Sequence, residues 1–491
     1  MQSFLQYRRL RRRVHAREKA EQKAPQLSPQ TSSSDPGTHH ADDAGDGDDS
    51  TSPRDWSMFH RYRLFAIVWL LVFTQGWVST CQSNVATDGS RHLHVSETAY
   101  ALLTALFFLG IALGALVAGP LSETFGRNSV YLQPDVSIYG GTLADLFDNE
   151  ERRSVWPSFA LSPLLGPILA PVAGGWISGH IDWRWTLWIG LILAGAAFLL
   201  ALLFLPETFG PVLMQWKSRH LRSVPGHQTD KTPPQAETES LGKRLKTNAT
   251  RPLVFFTSEP IVIFLGSYLV LVFVINFSFL NGLDFIFKDT YGLSEGLTSL
   301  DFLSITVGVL IDVAATPLYT RLVRRANRRQ CRAFVRHKPA GSADDTSSLE
   351  VELALPPELS LIRAAIAAPF LPVSLFWLGW TNYADINPAS GYVATIFFGY
   401  SLSAIFISSY QYIIDGYEKY SSSALASITM ARYVVSAGMV VATRPMYQGI
   451  GVQFVMTIVG SLALLLVPVP WLLLQYGDRV RAKSKFACSN A

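Results

Sequence analysis

The sequence predicts an all-α membrane protein built as two helical halves, and three observations predict it. Apolar residues make up 49% of the 491 positions and gather in blocks of roughly twenty, the length that spans a bilayer core. Trp and Tyr stand at many block ends, among them Trp183, Trp185, Trp377, Trp380 and Trp471, as amphipathic rings do at a membrane surface. Lys and Arg collect on alternate connections, the asymmetry that orients membrane proteins.

Residues 1–60 carry RRLRRR and then a Ser-, Asp- and Gly-rich run with no apolar stretch, which predicts a disordered cytosolic tail rather than a signal peptide. A truncated amino-terminal half follows over 61–205, with spans at Leu64–Asn84, Ala99–Gly119, Pro157–Ser178 and Trp185–Leu205. Residues 206–259 read as a cytosolic linker. The carboxy-terminal half, 260–475, carries six spans: Pro260–Gly282, Thr298–Thr320, Ile362–Thr381, Gly391–Ile414, Ser422–Thr443 and Val452–Leu474. Within it, the basic segment 321–361 reads as a second irregular linker, and 476–491 as a basic cytosolic tail. The basic segments place both termini in the cytoplasm, and short connections such as SGHIDWR and TNYADINPAS on the other side.

Several function classes lose support at this point. The basic residues lie in connections rather than on an aromatic-bearing face, so no nucleic-acid partner is expected. Cys81, Cys331 and Cys488 show neither CxxC nor Cys/His spacing, so no metal, no cofactor and no disulfide framework is expected. Without a GxxxxGK[ST] loop, a nucleophile motif or a carboxylate pair in a soluble domain, neither ATP-driven transport nor an enzyme is expected.

The two halves are unequal, four predicted spans against six. Between Leu132 and Gln133 the text changes abruptly. SVYL would begin another span, but QPDVSIYGGTLADLFDNEERR follows, too polar and too short to cross.

Four stretches carry a family resemblance: GPLSETFGR at 119–127, LLGPILAPVAGGWI at 164–177, FLPETFGPVL at 204–213 and RPMYQGIGV at 444–452. Together they resemble the fungal drug:proton antiporters of the major facilitator superfamily. In the first, Gly119 and Gly126 permit close approach and a tight turn, while Glu123, where that family has Asp, and Arg127 can form charge-assisted bonds at a gate. In the second, Gly166, Pro167, Pro171, Gly174 and Gly175 match the antiporter motif, with Ala170 where Gly is common. Prolines and small residues there suit a hinge between halves, and equally suit close helix packing.

The resemblance implies a major facilitator fold of twelve helices, so the ten predicted here leave helix three and most of helix four, roughly forty residues, without a counterpart. It implies proton-coupled efflux of small organic compounds, drugs or polyamine-like cations, by alternating access in a monomer. The expected partners are that substrate, protons and the lipid bilayer. The plasma membrane is the expected location and the vacuolar membrane the alternative. A second reading stays open: a transport-inactive ten-helix product of a mis-predicted or decayed gene, or a non-transporting regulator.

Ionisable groups inside spans cost about 2.5–3.5 kcal/mol on insertion scales, so each asks for a reason. Arg432 lies mid-span, away from any interface. Asp301 and Asp312 are eleven residues apart, about three turns, and share one helix face. Asp312 is expected to pair with Arg432 or to carry a proton. Asp284 lies toward the outer end of its helix, where the family's acidic position falls on Asn281. Asp415, in YQYIIDGY with Tyr410 and Tyr412, reads either as a gate contact or as a substrate group. The run FVINFSFLNGLDFIF can stack a lipophilic substrate or simply pack.

Overall fold

The computed structural model describes residues 3, 6–8, 11–12, 53–82, 85–130, 136–178, 180–222, 241–293, 298–337, 356–417, 420–484 and 486, and all regular structure among them is helical. The amino half comprises α1 (Met58–Thr80), α2 (Glu97–Phe125), the short α3 (Val136–Leu146), α4 (Asn149–Ser178) and α5 (Arg184–Phe204). After α6 (Leu241–Ser258) come α7 (Pro260–Leu283), α8 (Asp301–Ala314), α9 (Thr316–His337), α10 (Phe370–Thr381), α11 (Ala389–Tyr417), α12 (Ser421–Leu466) and α13 (Pro468–Ala482).

Each of the ten segments read from the sequence has a helix beneath it. By length and apolarity, eight helices among the described residues can cross a membrane, or nine when the bent pair α8–α9 counts as one span. The last of them, Ser421–Ala482, is 62 residues long, far more than one crossing needs, and it breaks at Gly451, whose φ is +79°. That break falls between the two spans the hydropathy separates.

The two segments read as linkers contain helices. The basic run RLVRRANRRQCR continues the helix as α9, and the 206–259 segment contains a helix at Gly210–Arg222 and α6. Arg, Leu, Ala and Lys are strong helix formers, and these segments are amphipathic at the helical period, so propensity and patterning agree. The tract after Gln133 likewise becomes α3, whose Tyr139 and Leu143 are buried. The Leu132–Gln133 join itself, most of the 1–60 tail and most of the 476–491 tail beyond Ser484 lie outside the described residues.

Local chemistry explains how α4 stays helical with Pro157, Pro163, Pro167 and Pro171 inside it. A proline lacks the N–H that would engage the carbonyl four residues back. The carbonyl freed by Pro171 is that of Pro167, which accepts from Thr80 Oγ1 at 2.9 Å. The one freed by Pro163 belongs to Phe159 and accepts from Ser162 Oγ at 2.8 Å. Gly166 lets α4 meet α1 backbone to backbone: a Cβ there would sit 2.5 Å from the carbonyl oxygen of Phe73 and 2.9 Å from the Gly76 carbonyl carbon. The antiporter-like motif therefore binds α4 to α1, and Pro171, Gly174 and Gly175 are all buried.

Candidate functional site

Where the halves face each other, α1 and α4 meet α7, α11 and α12 around a narrow central cavity. Gln75, Pro163 and Pro167 line it from one half; Phe273, Asn276, Phe277 and Arg432 line it from the other. Arg432 is 1% exposed. Its guanidinium lies 4.0 Å from the Phe273 ring centroid and 4.7 Å from that of Tyr433, and Nη1 donates to Tyr410 Oη at 2.6 Å. The Phe-rich run is thus packed inward, with Phe277 also against Phe108 of α2 at 4.8 Å.

A second hollow shares Ser79, Phe277 and Leu280 with the first and extends toward the bundle end where Glu97 of α2 pairs with Arg444 of α12. Asn281 lines it and donates to the Phe277 carbonyl.

The opposite end is closed by contacts across the halves. Arg152 Nη2 donates to Asp415 at 2.8 Å, and Arg153 approaches the same carboxylate at 3.4 Å. Asp415 therefore joins α4 to α11. One turn further into α4, Trp156 Nε1 donates to the Ile407 carbonyl at 3.1 Å, and its ring stacks with Tyr410. Arg127, just past α2, donates to Asp145 of α3 at 3.2 Å and to Ser422 of α12 at 3.2 Å. Its backbone N–H and that of Asn128 reach Glu207, whose carboxylate also accepts from Thr208 and Phe209. Gly126 has φ +97°, and a Cβ there would lie 2.4 Å from Glu207 Oε2, so glycine is required. Burial pushes the Asp145 carboxyl up to about 6 despite Arg127 beside it, and raises Glu207 although four backbone N–H groups favour its charged form.

The remaining residues divide as follows. The expectation that Asp312 pairs with Arg432 is corrected: Arg363 binds both Asp312 carboxylate oxygens at 2.8 and 2.7 Å, and Ser403 adds a third bond at 2.8 Å. Arg363 stands at the start of its span, where a long side chain could snorkel; instead it turns inward over Tyr319. Asp301 shares the buried face of α8 with Asp312, beside Tyr392. Gly119 packs on Ala426 of α12. The side chains of Glu123 and Asp284 lie outside the described residues; Glu123 belongs to α2 and Asp284 to a π-helical turn after α7. Gln75, Asp145, Arg152, Glu207 and Arg363 escape the sequence reading. Glu207, inside FLPETFGPVL, Asp145 and Arg152, inside QPDVSIYGGTLADLFDNEERR, and Arg363, at a span's edge, carried a signal.

Comparison with known proteins places this geometry. The family described as Major Facilitator Superfamily matches residues 136–440. The MFS-type transporter kojT of Aspergillus flavus is 36% identical over 474 residues, taking in 89% of this chain and 81% of its own. That 89% of 491 residues is about 437, so about 37 positions of the alignment have no residue here. The MFS-type transporter traF of Penicillium crustosum is 28% identical over 473 residues, covering 89% of this chain and 92% of its own. Among solved structures, the proton:xylose symporter XylE of E. coli superposes with a TM-score of 0.54 at 15% identity, over 86% of this chain and 96% of that one, a likeness of fold.

Proposed function

The chain belongs to the Major Facilitator Superfamily, and from that premise we propose that it exports a small organic compound across the membrane by alternating access, in exchange for protons. One observation carries the reading: a cavity at the junction of the two halves, with Arg152–Asp415 and Trp156 joining the halves toward one end, and adjoining toward the other a hollow lined by Glu97 and Arg444. With the basic segments on the cytoplasmic side, the Arg152–Asp415 end faces the cytoplasm and the Glu97–Arg444 end faces the other side. Export follows from the antiporter-like motif in α4, whose residues line the cavity and fix α4 against α1. The plasma membrane and a monomeric state complete the proposal.

A second reading has its own support. The amino half has four spans among the described residues, and the 37 or so unmatched alignment positions are what two absent helices and their turn would leave. On that reading the 491-residue chain inserts but does not transport.

The test uses the full chain in proteoliposomes with an imposed pH gradient, and labelled aromatic acids, neutral aromatics and polyamines as probes. The proposal expects accumulation of at least one probe that a protonophore abolishes. If no probe shows even counterflow, while the same chain with roughly forty apolar residues restored after Leu132 does, the second reading replaces the first.

A further inference from the structure

We propose that the central cavity takes an organic anion, held by Arg432 and Gln75, with its apolar body against Phe277 and Leu280. The orphan polar atoms here are donors: Arg432 Nε and Gln75 Nε2 are both buried and neither has a hydrogen-bond partner. Both side chains line the cavity and are more than nine-tenths buried. No Asp or Glu lines it, and no carboxylate lies within ion-pair distance of Arg432 among the described residues. Asp312, the nearest expectation for a counter-ion, is taken by Arg363.

A buried cation without an anion is costly, and the aromatic faces of Phe273 and Tyr433 offset only part of that cost. They also clamp the guanidinium plane, while Tyr410 occupies Nη1. Nε is left as a buried donor without a partner, on an edge of the planar fork whose geometry suits a carboxylate. A polyamine would meet the opposite: a donor-rich wall of like charge.

The inference rests on the transport reading for the cavity's role, so binding and transport are measured separately. The full chain in nanodiscs is titrated with benzoate, benzyl alcohol and benzylammonium, three probes of one shape and different charge. Benzoate binding at least tenfold tighter than the other two is expected. In Arg432→Gln the preference falls by tenfold or more, in Arg432→Lys part of it returns, and Gln75→Leu weakens benzoate alone by about threefold. Benzylammonium binding as well as benzoate, absent benzoate binding, or an unchanged preference in both Arg432→Gln and Gln75→Leu overturns the proposal. The wild-type ranking decides even where a variant fails to fold. Counterflow in proteoliposomes separates the two claims: selective benzoate binding without counterflow keeps the anion site and sinks transport, whereas counterflow of benzylammonium in preference to benzoate does the reverse.

Discussion

The two halves of this bundle are stabilised differently. In the carboxy half α7 and α11 each have 67% of their apolar window buried and the last long helix 33%, whereas in the amino half α1 and α4 have 56%, α2 33% and α5 only 17%. The charges follow the same division. Asp312–Arg363 is sealed inside the carboxy half, with the Asp312 side chain 0% exposed. The amino half's Arg61–Glu151 pair sits at the rim with Glu151 34% exposed, and Arg152 finds its anion only in the other half. Part of the amino half's charge is thus completed by the carboxy half, although Arg127–Asp145 lies within it. Motif residues keep their geometry in the sparser half because their partners come from a loop, the short α3 and the opposite half: Glu207, Asp145 and Ser422 around Arg127.

The largest effect that can break this contrast comes from Asp312→Asn. It strands the buried Arg363 guanidinium, and removing one partner of such a pair costs about 3–5 kcal/mol. Thermal unfolding in detergent, followed by Trp fluorescence, should show a loss larger than for any substitution at the Arg61–Glu151 rim. Equal losses at the two places would mean that the halves are not stabilised differently.

Asp415→Asn comes next. It removes the anion that joins the halves, worth about 1.5–3 kcal/mol as charged hydrogen bonds. Arg152 and Arg153 can reach water when the halves part, so the loss should appear as opening rather than unfolding. A thiol reagent applied to Ile407→Cys, beside Trp156, should react faster in Asp415→Asn at an unchanged melting temperature. A lower melting temperature with no change in labelling would make this contact part of the core instead.

Gly126→Ala sharpens the claim that amino-half motifs depend on loops. The φ of +97° and the Glu207 contact together cost about 2 kcal/mol. Restoring room with Glu207→Ala should not rescue stability, because four N–H groups lose their acceptor. Rescue by that second change would show that Glu207 is an obstacle rather than an anchor.

The spans were legible because membrane helices are read from length and apolarity alone, and the Gly126 turn because only glycine accepts its backbone. What joins them was not. Arg127 and Glu207 are 80 positions apart, and nothing in either local pattern names the other. Arg432 stood out as a mid-span charge, but its surroundings are rings from α7 and α11, and aromatic residues in a span look alike whether they face lipid or a cation. Asp312 was given the wrong arginine because Arg363 lies near a span's end, where burial and snorkelling leave the same sequence. The basic helix α9 was read as a linker because charge hides periodicity.

The smallest effect concerns Asp145, and its sign separates two accounts of the amino-half rim. Burial raises this carboxyl to about 6 while Arg127 pulls it down, so desolvation outweighs the ion pair. A carboxyl raised in the folded state makes that state bind protons more tightly than the unfolded chain does. Stability from this group therefore rises as pH falls through 6 and levels off below the ordinary carboxylate range. Between pH 6 and 5 the gain is at most about 1.4 kcal/mol, one unit of pH over one proton. Asp145→Asn, neutral at every pH, should flatten that part of the profile, and the difference between the two proteins removes all other titrating groups. If wild type instead loses stability relative to Asp145→Asn on acidification, the ion pair with Arg127 outweighs desolvation. The rim of the amino half would then be held by charge, as the core of the carboxy half is.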